Sequence, residues 1–141
     1  MEVSGRLSIA SEALAALRRH VEAAERGCEV GGRLLIRNGA AFEFQPAANL
    51  SDRPGTYLRG PLPSLPPGCD DLRVHSHPNG ALHPSRQDIE NARHRGDLVF
   101  GVATRAGLAV WEVVGEDVRR VPCRVVWLSS RRPLRRPGRR A

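Results

Sequence analysis

Two histidines with one residue between them, His75 and His77, are followed after seven residues by Ser85 and, after two more, by Asp88, within VHSHPNGALHPSRQDIENA. The run before them, DLRV, reads as a strand, and side chains at i and i+2 of a strand leave the same face. Two imidazoles on one face can close on one metal ion. Asp88 arrives from a different element, as a third ligand must if it is to complete a tetrahedron. Two His and one carboxylate with the fourth position open is a catalytic zinc arrangement rather than a closed structural one. Ser85-Arg-Gln-Asp88 after Pro84 also has the form of a capping box, opening a helix that runs to about Arg95. The two readings of Ser85 are compatible, because a serine at a helix start can cap it and still turn its hydroxyl toward a metal.

The elements that must position these groups can be read on either side. Residues from about Ser11 to Arg26 have helical spacing, with Leu14, Leu17 and Val21 on one stripe widened by Ala10, Ala13 and Ala24. Ser8 or Ser11 is the candidate cap, and a short strand, RLSI, precedes. Residues 32 to 37 and 40 to 45 form a hairpin turned by Asn38-Gly39. From Pro46 to Asp71 the chain is irregular and rich in proline and glycine. A loop this long in a small domain often borders a site. LVFGVAT, LAVWEVV and CRVVWL read as three further strands, with turns at Arg105-Ala-Gly107 and Gly115-Glu116-Asp117, and Trp111 and Trp127 fall on the core or on a sheet face. The fold class is α/β or α+β: a mixed, curved sheet with a helix on each side.

The spacing His75-Ser76-His77, Ser85, Asp88 resembles the JAMM motif of the MPN/JAB metalloprotease family, residue for residue. That family's motif includes a glutamate far upstream, in a Glu-x-x-Gly context leading into an apolar strand, and Glu29-Val30-Gly31-Gly32 before RLLIRNG is similar to it. The segment around Asn49, with Tyr57 beyond, is similar to a loop that bacterial members carry. The likeness spans about residues 6 to 128. It implies a cytidine-deaminase-like MPN/JAB domain over residues 1–128 and one Zn2+ per chain held by His75, His77 and Asp88. Glu29 would be the general base and Ser85 a hydrogen-bond donor to the oxyanion. It also implies a peptide or isopeptide bond as substrate, at the C-terminal tail of a ubiquitin-like or sulfur-carrier protein. Ser76 faces the other side of the strand and is structural. Glu43 is the competing base, on a strand of strict alternation. Asp70 and Asp71 are turn or supporting residues, and His83, His20 and His94 need no special role.

Composition narrows the alternatives. The chain has 141 residues, the length of a single domain. It has no apolar run long enough for a membrane span and no basic-then-apolar leader at its start, so the expectation is a cytoplasmic protein. Cys28, Cys69 and Cys123 are odd in number and widely spaced, which suits reduced thiols. The formal net charge is +7, and all 22 basic residues are arginine. Many of them fall in residues 129–141, an Arg/Pro-rich stretch expected to be disordered. That tail leaves open a nucleic-acid-associated alternative, similar to the RadC branch of the same family. A non-catalytic scaffold of this fold is another alternative, but such members usually lack a metal ligand, and this chain has all of them.

Overall fold

A computed structural model describes residues 6–53 and 55–126; Trp127 and the segment 129–141 lie outside the described residues. In chain order the elements are β1 (Leu7–Ala10), α1 (Ser11–Glu22), β2 (Gly31–Arg37), β3 (Ala40–Ala47), β4 (Asp70–Ser76), α2 (Arg86–Arg95), β5 (Val99–Thr104), β6 (Gly107–Val114), β7 (Asp117–Val121) and β8 (Cys123–Val126). They build one curved eight-stranded sheet in the order β7-β6-β5-β4-β2-β3-β1-β8. The sheet is mixed, with β1 parallel to β3 and β8, β4 parallel to β5, and the remaining pairs antiparallel. Among the described residues no helix is long and apolar enough to cross a membrane.

Local chemistry accounts for most of these boundaries. Asn38 and Gly39 both have positive φ, 53° and 76°, as the two-residue hairpin turn between β2 and β3 requires. β2 is buried along nearly its whole length because it lies between β3 and β4 and is covered on both faces. α1 stops at Glu22, one turn earlier than the run of alanines and glutamates to Arg26 suggests. Ala23 takes the C-cap, and Gly27, at φ 80°, turns the chain. Neither Ser8 nor Ser11 caps α1: Ser8 is a β1 residue, Ser11 is already helical, and the N-cap is Ala10, without a side-chain cap bond. β7 was not expected. DVRRV is polar and mostly exposed, so its membership of the sheet rests on pairing with β6 rather than on apolar alternation.

Each face of the sheet carries one helix, which gives two cores. On one face α1 packs Ala13, Leu17 and Val21 against Ile9, Leu34, Ile36, Leu72 and Val74. Leu17, Leu34 and Leu72 are essentially inaccessible, and burial of each such side chain contributes about 1.5–3 kcal/mol. On the other face α2 places Ala92 and Ile89 against Phe100, Val102 and Val113. The long 48–69 connection covers that second face beside α2, where the Pro63 carbonyl accepts from Arg33 of β2 (2.7 Å). α2 is the crossover between parallel β4 and β5, so the C-terminal end of β4 meets the N-terminus of α2. In open α/β sheets that crevice is where ligands bind.

A close approach next to the histidines occurs at Gly31, opposite His75 in the β2–β4 register. A Cβ there would lie 2.2 Å from the Val74 carbonyl oxygen and 3.0 Å from Tyr57 Cζ. Gly31→Ala is therefore expected to cost about 2 kcal/mol or more, read as a lower denaturant midpoint. A midpoint equal to the parent's would show that this close approach does not constrain the fold.

Candidate metal centre

β4 alternates strictly, with Leu72, Val74 and Ser76 fully buried and Asp71, Arg73 and His75 less completely buried on the other face. His75 therefore points toward α2, and His77, just past the strand end, joins it. The His77 amide extends the ladder by donating to the Ala103 carbonyl (2.9 Å). The two imidazole Nε2 atoms stand 3.2 Å apart. Asp88 meets both, with His75 Nε2 3.2 Å from Oδ1 and His77 Nε2 3.0 Å from Oδ2. All three groups are more than four-fifths buried, and together they form a set that can hold a metal ion.

Donor chemistry shows that these residues fit a cation. His77 Nδ1 lies 2.7 Å from the Ala81 carbonyl, and a carbonyl only accepts, so Nδ1 carries the proton. In the neutral ring Nε2 then bears a lone pair, and it faces another imidazole nitrogen and a carboxylate oxygen. Such a grouping is stable only with an extra proton or a metal ion at its centre. Atoms bound about 2.0–2.1 Å from a tetrahedral zinc stand about 3.3–3.4 Å from one another, close to the separations found here.

The local sequence holds Asp88 in place. Ser85 caps α2, with its Oγ accepting from the Asp88 amide (3.1 Å) while Asp88 Oδ2 accepts from the Ser85 amide (2.9 Å). The capping box thus orients the third member of the group. Accepting that bond leaves the Ser85 O–H as a donor. Burial alone would raise the Asp88 carboxyl, but the imidazoles of His75 and His77 and the Ser85 amide override it and hold the group well below the usual carboxylate range. The bond with Asp88 raises His77 above its ordinary value, against the opposing effect of burial.

Glu29 reaches this group through backbone register. It stands two residues before the start of β2, whose Gly31 lies opposite His75. Two hydrogen bonds close the junction: the Val30 amide donates to Ser76 Oγ (2.9 Å) and the Ser76 amide to the Val30 carbonyl (2.7 Å). This is the structural task of Ser76. Asn49 Nδ2 adds a third tie by donating to the Glu29 carbonyl (3.0 Å), while Asn49 Oδ1 accepts from the Ser51 and Leu58 amides. Glu29, His75, Ser85 and Asp88 consequently line one cleft of about 190 Å³, with Tyr57 from the long loop forming part of its wall. Burial raises the Glu29 carboxyl, partly offset by the two histidines. Tyr57 stacks on His75, with centroids 6.2 Å apart and planes 16° apart.

The competing candidates fall elsewhere. Glu43 is exposed and accepts from Gln45 (3.1 Å). Asp71 pairs with Arg59 at 3.2 Å and with Arg33 at 3.9 Å, and Asp70 is an exposed strand-start residue. His83 packs edge-on against Trp111, His20 tilts onto Phe44, and His94 is exposed on α2. Two charged cleft residues had no role in the sequence reading, Arg73 and Arg95. The signal for them is positional: Arg73 is two residues before His75 on the same strand face, and Arg95 is seven after Asp88, two turns along one helix face.

The shifts predict opposite pH dependences for metal-free and metal-loaded protein. A raised folded pKa at His77 gives stability that is complete below its unfolded value of about 6.5 and lost as pH rises through the folded value. With chelator present, the melting temperature should fall above neutrality by an amount that Asp88→Asn removes. With zinc present it should rise over the same range, because the ligands must be deprotonated to bind. Parallel pH profiles with and without zinc would contradict the ligand assignment.

No family model matches the chain and no curated protein is similar to it. Solved structures are. A Desulfitobacterium hafniense protein determined in solution superposes with TM-score 0.66 at 17% identity, over 88% of this chain and 95% of the other. A JAB1/MPN domain protein from Archaeoglobus fulgidus superposes with TM-score 0.59 at 18% identity, over 85% and 99%. At these identities the likeness is one of fold, and it agrees with the mixed, curved sheet and its two helices. The chain has the JAB1/MPN fold.

Proposed function

We propose that the chain is a zinc-dependent metallopeptidase of the JAMM type, acting on a peptide or isopeptide bond. The observation that carries this reading is the convergence of three electron-pair donors, His75, His77 and Asp88, on one point, beside a cleft that Glu29, His75 and Asp88 line. His75 and His77 through Nε2 and Asp88 through its carboxylate would hold the ion. Zinc in such a site polarises a carbonyl and lowers the pKa of water from about 15.7 to about 7.

The chain's own groups do the rest. Glu29 takes a proton from the attacking water on a carboxylate oxygen and delivers it to the departing amine nitrogen. A general base works best with a pKa near the operating pH, and burial moves Glu29 in that direction. Ser85 Oγ–H donates to the carbonyl oxygen as negative charge grows there. Asn49 and Ser76 keep Glu29 at the cleft through its backbone. The Tyr57 ring excludes water from one side of His75.

The substrate we favour is the C-terminal tail of a ubiquitin-like or sulfur-carrier protein, since a narrow cleft admits an extended chain. Three free thiols, Cys28, Cys69 and Cys123, suit a reducing, cytoplasmic setting. The nucleic-acid-associated alternative rests on residues 129–141, outside the described residues. A non-catalytic scaffold would have no need of Glu29 beside a complete ligand set.

Purified protein is expected to bind about one zinc per chain, and His77→Ala to bind much less. Peptide cleavage should stop with chelator and return with zinc. Glu29→Gln should keep the metal and lose about 10²–10⁴-fold in kcat, and Ser85→Ala about 10²–10³-fold. Full turnover by Glu29→Gln would remove the base assignment, and cleavage undiminished by chelator would remove the metallopeptidase reading.

A further inference from the structure

His77 is the first residue after β4, so the alternation of that strand does not fix its ring. Its amide is tied to the Ala103 carbonyl, but the imidazole is oriented from the side of Nδ1, by the bond to the Ala81 carbonyl (2.7 Å). The partner of one ring nitrogen decides which nitrogen is left for a metal and where it points. Whatever holds Ala81 therefore holds Nε2 of His77.

Ala81 belongs to the connection between β4 and α2, and most bonds there are local. The Gly80 amide donates to the His77 carbonyl (3.1 Å), the Ala81 amide to Asn79 Oδ1 (3.0 Å), and His83 Nδ1 to the Pro84 carbonyl (2.9 Å). These bonds shape the turn without attaching it to the sheet. Among the described residues a single hydrogen bond joins residues 78–84 to the chain beyond 77–85: Trp111 Nε1 donates to the Leu82 carbonyl (2.9 Å). The His83 ring packs edge-on against the same indole, with centroids 4.9 Å apart. Leu82 directly follows Ala81, so both contacts grip the connection next to the carbonyl that His77 uses.

Trp111 is itself well held. It lies within β6, opposite Phe100 of β5 and Arg120 of β7, and directly opposite residues share a sheet face. Its indole packs against the small core of Ala92, Phe100, Val102 and Val113. The Arg120 guanidinium lies over the ring, 5.5 Å from its centroid. Phe100 in turn stacks on His75, with centroids 6.4 Å apart and planes 18° apart. The aromatic pair Phe100 and Trp111 thus backs both histidines, His75 by ring contact and His77 through the Leu82–Ala81 link. Packing on this core needs only an apolar ring; the indole N–H acts as a donor alone, and it is spent on Leu82.

We propose that Trp111 is a positioning residue for the metal group: by holding Leu82 its N–H fixes the Ala81 carbonyl, and with it Nε2 of His77, and so sets how tightly the group binds zinc. The proposal rests on the zinc-binding part of the reading above and is independent of what the site cleaves. Partners that orient a metal-bound histidine are worth about 10–100-fold in metal affinity. Trp111 acts one residue further out, so the lower end of that range is expected. The coupling is reciprocal: a bond that favours the zinc-loaded state is made firmer by loading.

Trp111→Phe keeps a ring on the core and removes the donor. Zinc affinity is read by competition with a chromogenic chelator, beside a melting curve of the metal-free protein. The variant is expected to bind zinc about tenfold more weakly than the parent. Equal affinities would overturn the proposal, and equal affinities with a lower metal-free melting temperature would assign Trp111 to packing alone. A second arm leaves Trp111 in place and so stands even if Trp111→Phe does not fold. The chain has two tryptophans, so in a Trp127→Phe protein the indole N–H signal of an NMR correlation spectrum belongs to Trp111. Its exchange with deuterated solvent should slow about tenfold on addition of one equivalent of zinc; an unchanged rate would overturn the link. A parent protein that binds no zinc would sink the metal reading and this proposal together, whereas zinc held equally by parent and Trp111→Phe would sink this proposal alone.

Discussion

Three electron-pair donors held about 3 Å apart in a half-dry crevice repel one another unless something positive lies among them. His75, His77 and Asp88 are in that situation, and the surrounding structure keeps them there. The β4 alternation aims His75, the Ala81 carbonyl fixes the tautomer of His77, and the capping box at the start of α2 turns Asp88 inward. None of these devices is needed for the two apolar cores. Their common effect is to keep together a group that can hold a metal ion.

The second constraint is the register between β2 and β4. Placing Gly31 opposite His75 brings a glutamate from far upstream to the cleft, and the paired bonds between Val30 and Ser76 prevent slippage there. A shift of one residue would turn every side chain of β2 to the other face. The lack of a side chain at Gly31 permits the approach, and Tyr57 fills the space it leaves. Asn49 joins the 48–69 connection to the same junction, so the long loop is a structural part of the cleft as well as its wall.

The legible features of the sequence were those whose physics is local. The His-x-His pair, the Ser85/Asp88 capping box and the Asn38-Gly39 turn each depend on neighbours within a few residues, and each stands where the spacing puts it. Glu29 was recognisable only through a family resemblance, because nothing near it in sequence indicates what it faces. The end of α1 was misplaced because Ala23, Ala24 and Glu25 suit a helix by composition, yet the helix stops at Glu22 with Ala23 as its C-cap. β7 was missed because its polar sequence carries no alternation. Arg73 and Arg95 lay beyond reach for a related reason. A guanidinium looks the same in sequence whether it stands free in solvent or lines a cleft, and only the packing of β4, α2 and the loop separates the two.

The most direct measurement is anomalous scattering at the zinc edge from crystals of the zinc-loaded protein. The account predicts a single peak about 2.0–2.1 Å from Nε2 of His75, Nε2 of His77 and a carboxylate oxygen of Asp88, with the Glu29 carboxyl facing it without ligating. A peak at the cysteines or elsewhere on the surface, or well-ordered crystals with no peak at these three residues, would contradict it.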